Sequence, residues 1–315
     1  LLRRGFGACT LLFLLLGHGR TASGQENVVA QVRVALSQGD LARADSLVSF
    51  YQRLNGYTPE VIEAFSWLGR AELSAGQTDR ALDNAEETRR LVRDQLKTRK
   101  LDSNPHLALA LGAALEVEAQ ILSERGQRAE AVSLLQTAIR TYQGASVVGR
   151  LRKNLNLLTL TGKPAPALQM SNFLFPATAP IATPKVRLLF FWAHWCADCK
   201  AEAPIIARIA ADLEPRGLTV IGPTMLYGYT RAGQDAIPEE ERPYIRQIFE
   251  QYYAIIPNLA VPVSSVNFDT FGASTTPTLV VVDRQGIVRL YHPGRMGESD
   301  LRAVIEPLLA RTTTR

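Results

Sequence analysis

Cysteine is scarce. Three occur in 315 residues, and the first, Cys9, lies in a stretch that reads as a targeting segment, which leaves Cys196 and Cys199 for the rest of the chain. An exported domain stapled by disulfides would place several at distant positions, because a bridge across two intervening residues removes little unfolded-state entropy. The pair is therefore a poor staple. It is also a poor zinc site, since two further ligands would be needed and there is no second Cys pair, so no metal is expected. Basic runs are missing too. The formal charge is +5, but Arg3, Arg4 and Arg20 fall in the first 24 residues, which hold no Asp or Glu, and setting them aside leaves 32 basic against 30 acidic residues. Without a Lys/Arg run or a basic stripe interleaved with aromatics, a nucleic-acid footprint is excluded. After the first 24 residues no segment reads as apolar enough for a membrane span, so none is expected in the mature chain.

Residues 1–24 are expected to be a signal peptide. Arg3 and Arg4 form a charged start, Ala8 to Leu16 a short apolar stretch, and Ala22 and Gly24 a small-x-small cleavage pattern. Export to the periplasm or the extracellular space follows; the competing reading is an uncleaved anchor. The remaining length favours two domains over one.

Residues 25–160 read as amphipathic helix throughout, with apolar positions at three and four spacing in Val28-Val29-Val32-Leu36, Val61-Ala64-Phe65-Leu68 and Leu111-Leu115-Ile121-Leu122. A local pattern recurs there: a small residue, Gly seven later, Ala five after that. Gly69, Gly76 and Ala81 meet it, as do Ala119, Gly126 and Ala131; Gly39 and Ala44 follow Val32 in a degenerate copy. This spacing resembles the tetratricopeptide repeat, and Trp67-Leu68-Gly69 matches the start of that family's first helix. The copies are not evenly spaced, and a plain helical bundle is the alternative. The resemblance implies a concave surface for a protein partner. His106, following Pro105 at a helix start, has no ligand-spaced partner in the sequence.

Thr161-Gly162-Lys163-Pro164-Ala165-Pro166 ends the helical pattern, and Pro176, Pro180 and Pro184 keep the next stretch irregular. This boundary predicts a separable second domain, 161–315. Its grammar is alternating strand and helix: strands at Val186 to Trp192 and Leu218 to Gly222, a hairpin from Thr278 to Tyr291, and helices at Lys200 to Leu213, Tyr244 to Tyr253 and Ser299 to Ala310. The fold class expected is an all-α helical-repeat domain followed by an α/β domain with a central mixed sheet flanked by helices.

The first strand runs into Trp192-Ala193-His194-Trp195-Cys196-Ala197-Asp198-Cys199-Lys200, and a helix follows at once. A thiolate at a helix N-terminus meets the positive end of the macrodipole and free backbone N–H groups, which lowers its pKa. Two intervening residues let Cys199 turn back on Cys196, so the first cysteine attacks and the second resolves. Cys196 is expected to be exposed and Cys199 more buried.

The segment Phe191 to Pro204 resembles the active-site segment of thioredoxin-fold proteins of the TlpA/ResA type, which are exported disulfide reductases. Gly162-Lys163-Pro164-Ala165-Pro166 is similar to that family's domain opening, and Thr275-Thr276-Pro277-Thr278 with Val280 to Gly286 to its cis-proline loop and hairpin. The likeness covers about residues 161 to 311. It implies a thioredoxin-like fold and thiol–disulfide exchange through Cys196 and Cys199, with Pro277 as the cis residue beside the bound polypeptide. Trp195 and Thr276 support or contact substrate, and Glu202 moves protons for Cys199, against the alternative of a solvated carboxylate in the first helical turn. No cofactor is implied; the partners are protein thiols or disulfides and a redox donor protein. The sequence departs from the family at Ala197, where many relatives have Pro, at Asp198, whose charge opposes thiolate formation, and at Phe190, where thioredoxin has a buried carboxylate. The potential is thereby left open across roughly −270 to −120 mV, and reduction is expected on resemblance alone.

His194 is expected to be an exposed neighbour without a role, with tuning of Cys196 as the alternative; His292 is expected to be a loop residue, and Met225 to Arg242 a polar, solvated insertion, with shaping of the substrate groove as the alternative. A partner-binding helical scaffold with a redox-inactive thioredoxin-like domain is the competing function. A peroxidase of the peroxiredoxin type ranks last, because its Pro-x-x-x-Thr-x-x-Cys segment is absent.

Overall fold

A computed structural model describes residues 26–175 and 185–310. The signal-peptide reading of residues 1–24, and Pro176, Pro180 and Pro184, lie outside the described residues. The first half is all helical: α1 (Glu26–Ser37), α2 (Leu41–Asn55), α3 (Pro59–Ser74), α4 (Thr78–Leu96), α5 (Pro105–Glu124), α6 (Arg128–Thr141) and α7 (Val148–Thr159). The recurring glycines explain how these helices pair. Gly39, Gly76 and Gly126 close the α1/α2, α3/α4 and α5/α6 turns with φ of 75°, 74° and 79°, a left-handed conformation that costs a side chain about 1–2 kcal/mol. In each turn the next N–H reaches back five residues: Asp40 to the Ala35 carbonyl at 3.0 Å, Gln77 to Glu72 and Gln127 to Leu122 at 2.8 Å. This 6→1 bond satisfies a carbonyl that the helix end leaves open. Ala44, Ala81 and Ala131, the last members of each pattern, are fully buried between the paired helices.

Helix starts follow the sequence equally closely. Thr58 caps α3 ahead of Pro59, and the Asn104 side chain accepts the His106 N–H at 2.9 Å ahead of Pro105 in α5. His106 does have a partner, which lies in the tertiary structure: its Nδ1 is 2.5 Å from Glu63 Oε2 on α3. Helix α5 corrects the reading that no later segment is apolar enough for a span, since its mean hydropathy of 1.2 over 18 residues passes by length and composition. Two thirds of that window is buried inside the protein, where Leu107, Leu111 and Leu115 form the helical core with Ile62, Leu135 and Leu151.

The second half is built on a sheet of four strands, β1 (Val186–Phe191), β2 (Leu218–Ile221), β3 (Thr278–Val282) and β4 (Val288–Pro293), in the order β2-β1-β3-β4. The β1/β2 pair is parallel, as a helical crossover through α8 (Ala197–Leu213) requires, and the other pairs are antiparallel. Strand β1 is apolar on both faces because both are covered. Leu188 and Phe190 face α8 and α11 (Glu298–Ala310); Leu189 and Phe191 face α10 (Ser265–Phe271). An all-helical region followed by a mixed sheet with helices is the fold class expected.

Two elements differ from expectation. Helix α9 spans Pro238–Tyr252, starting six residues before Tyr244, because Glu239, Glu240 and Glu241 favour the positive helix start and Pro243 is tolerated near it. Helix α10 was not foreseen at all.

The boundary is tied down on both sides. Gly162 N–H donates to Val288 O at 2.8 Å and Val288 N–H to Lys163 O at 2.9 Å, so the chain leaving α7 pairs with the start of β4. On the far side of the sheet, Gly222 N–H donates to Ala260 O and Thr224 N–H to Pro262 O, so that the 260–263 segment lies parallel beside the end of β2. Helix α7 also packs on α10. At Gly272, which ends α10 with φ 61°, a Cβ would lie 2.7 Å from the backbone of Arg152 and Lys153, and Asn156 Nδ2 donates to Phe271 O at 2.8 Å. Towards the helical core, Glu116 of α5 holds α7 through Arg150 Nε at 2.9 Å, Lys153 Nζ at 3.0 Å and Asn154 Nδ2 at 3.1 Å.

Candidate active site

Cys196 is the N-cap of α8, and a disulfide joins it to Cys199 in the first turn. The Cys199 N–H points at Cys196 Sγ, 3.0 Å away. That N–H has no partner within the helix, and with the macrodipole it favours negative charge on this sulfur over the other. The expected exposure of Cys196 is corrected: it is only 3% exposed, because it caps α8 within the core of the sheet domain, and Cys199 is fully buried. Asp198 points to solvent between them.

Trp195 stands out beside the pair, 49% exposed, with its ring edge-on to Tyr227. The Thr276–Pro277 bond is cis, and the loop it forms enters β3. Trp195 and Thr276 line one groove of about 210 Å³, together with Tyr227 and Phe268. Among the described residues no hydrogen bond involves the Thr276 backbone, and its buried Oγ1 has no partner.

Glu202 corrects the solvated alternative. It lies one turn beyond Cys199 on α8 and is fully buried, so burial pushes its carboxyl up; the Met296 N–H on Oε1 at 3.3 Å and Arg295 at 3.6 Å from Oε2 offset this only in part.

His194 is corrected as well. It is 1% exposed, enclosed edge-on by the rings of Tyr227, Tyr229 and Tyr244 at 5.3 to 5.5 Å. Its Nε2 is 3.4 Å from Glu241 Oε1 without hydrogen-bond geometry, and burial holds the imidazole below its ordinary value although Glu241 pulls the other way. Glu241, itself buried, accepts the Tyr227 N–H at 2.5 Å and the Gly228 N–H at 2.8 Å. The two ends of the insertion are thus folded onto the segment preceding Cys196, while residues 231–235 and 237–240 are exposed, as expected. One signal could have shown this: Glu241, Ile245 and Ile248 share a helical face, and both isoleucines are buried. His292 is in β4, outside the loop expected to hold it. No group of three or more His, Cys, Asp or Glu that could hold a metal occurs among the described residues.

A disulfide at a helix start and a cis-proline loop thus adjoin one groove through their chain neighbours, Trp195 and Thr276. No protein-family model matches the chain. A thiol:disulfide interchange protein DsbE of Xylella fastidiosa strain 9a5c is 30% identical over 161 residues, covering 48% of this chain and 70% of the relative. The chain belongs to the DsbE family of thiol:disulfide interchange proteins. A further DsbE of X. fastidiosa, strain Temecula1, is 29% identical over 178 residues, 55% of this chain and 77% of that one. HelX of Rhodobacter capsulatus, also a thiol:disulfide interchange protein, is 26% identical over 156 residues, 49% and 79%. The likeness to DsbE therefore accounts for about half of the chain. This DsbE-type half is a thioredoxin-like thiol–disulfide oxidoreductase with Cys196 and Cys199 as its Cys-x-x-Cys pair.

Proposed function

We propose that the protein is an exported protein-disulfide reductase that receives its client polypeptide between Trp195 and the Thr276–Pro277 loop. The observation that carries this is the redox pair at the start of α8, with Cys196 Sγ accepting the Cys199 N–H, beside a loop whose Thr276 backbone is free to pair with an extended chain. In the reduced protein the Cys196 thiolate attacks one sulfur of a client disulfide and expels the other as thiolate. Cys199 then loses its proton and attacks Cys196 Sγ, releasing the client's second thiolate and leaving the Cys196–Cys199 disulfide. A redox donor protein supplies the two electrons that restore the pair. Glu202, buried one turn from Cys199, takes the resolving proton. Export rests on residues 1–24. The three hairpins with the same glycine turn support a tetratricopeptide-like array that holds a protein partner.

The equilibrium potential of the pair, measured against glutathione, tests the direction. A value near the thioredoxin end, about −270 mV, with turnover of insulin disulfides, is expected; one near −120 mV would make the protein an oxidant.

Glu202 gives a second test. Its raised carboxyl keeps a proton above the unfolded value of 4.5, where the unfolded chain has lost it, so this group costs stability as pH rises through that window. Glu202→Gln should then be no less stable than the parent at pH 7 by urea unfolding. It should nevertheless slow resolution of the mixed disulfide by roughly 100-fold. Unchanged resolution in stopped-flow would remove Glu202 from the proton path.

A further inference from the structure

The groove between Trp195 and Thr276 is not made by the DsbE-like half alone. Gly149, in the first turn of α7, lines it together with Trp195, and a Cβ built there would sit 3.7 Å from Ser274 Cβ in the loop leading to cis-Pro277. Helix α7 cannot easily move off. On one side Gly272 of the sheet domain lies against its backbone and Asn156 binds Phe271 O; on the other the Glu116 cluster fastens it to α5.

We propose that α7 is a wall of the client groove and that the absent side chain at Gly149 sets how large a client residue fits beside the redox pair. The inference rests on the reductase reading given above. The occupant is an extended polypeptide segment next to a client cysteine, for two reasons. The groove is lined by Trp195 and Thr276, the chain neighbours of Cys196 and cis-Pro277, and Thr276 has an unpaired backbone and a buried, unpartnered hydroxyl. A cavity of about 210 Å³ admits side chains of such a segment and not a folded element. The helical half would then act on specificity directly, in addition to any partner held by the proposed tetratricopeptide-like array.

The test is a graded series, Gly149→Ala, Gly149→Gln and Gly149→Leu, in the full chain. Gly149 has ordinary helical geometry, so each replacement raises helix propensity, and only the longer side chains reach far into the groove. The rate of insulin reduction should fall with side-chain length, by about tenfold in kcat/KM for Gly149→Leu, a change of about 1.4 kcal/mol. Reduction of hydroxyethyl disulfide and the equilibrium potential should stay within twofold and unshifted, respectively. A flat series on insulin, or an equal fall on both substrates, would overturn the wall. Should Gly149→Leu fail to fold, the Ala and Gln pair decides by the same criterion. If the unsubstituted protein reduces hydroxyethyl disulfide but not insulin, the polypeptide-reductase reading itself is withdrawn, and the wall with it.

Discussion

Cys196→Ser should reduce the turnover of insulin disulfides to the rate measured without protein, whereas Cys199→Ser should accumulate a covalent complex with the client that dithiothreitol releases. The difference follows from the helix start. Only Cys196 is the N-cap, receives a backbone N–H on its sulfur and adjoins the exposed Trp195; Cys199 is enclosed in the first turn. Loss of the attacking thiol leaves nothing to form the first bond, while loss of the resolving thiol leaves the mixed disulfide with no intramolecular exit. Non-reducing gels and intact mass spectrometry distinguish the two variants. Equal capture by both would reverse or void the assigned roles.

The second large effect is expected in the helical half, at Glu116. Burial raises its carboxyl, yet Arg150 and Lys153 together with the Asn154 hydrogen bond outweigh burial and hold it at about 2 against an ordinary 4.5. The sign is that of a depressed acid: the stabilisation is complete above pH 4.5 and is lost as pH falls towards 2. Its size is about 3 kcal/mol for the side chain, which is 21% exposed. Glu116→Ala should lower the urea unfolding free energy by about that amount at pH 7, and the gap to the parent should narrow as pH falls from 4.5 towards 2. A gap that stays constant across that range would mean that the loss comes from packing and not from the ion cluster.

Much of this was legible because certain backbone or chemical states admit few residues. A left-handed turn favours glycine, so Gly39, Gly76 and Gly126 announced the three hairpins. A strand covered on both faces must be apolar throughout, as Val186 to Phe191 is apart from Arg187. The cysteine pair at a helix start identified its own chemistry. What stayed hidden depended on residues distant in the chain. The burial of His194 is produced by Tyr227, Tyr229 and Glu241, from a segment whose composition is that of a solvated loop, and by Tyr244 of the helix that follows it. Helix α10 has seven residues, too few for a period to emerge, and is fixed by Asn267, whose side chain exchanges two hydrogen bonds with the Gln169 backbone. Gly149 reads as an ordinary weak position in a helix, since the groove it borders comes from the other half of the chain.

The pairing of the chain with the two outer strands bears on how a protein of this kind handles unfolded clients. An open sheet edge is a template on which any extended chain can add a strand, and it is the usual route to aggregation. Here β2 is only four residues long and its end is flanked in parallel by the 260–263 segment, while β4 begins against Gly162 and Lys163, exposes Arg289, and stops at Pro293, which has no N–H to offer. Both borders are therefore poor seeds for intermolecular strand addition. A misfolded polypeptide that meets the sheet finds little to zip onto, and can be released once its sulfurs have been exchanged.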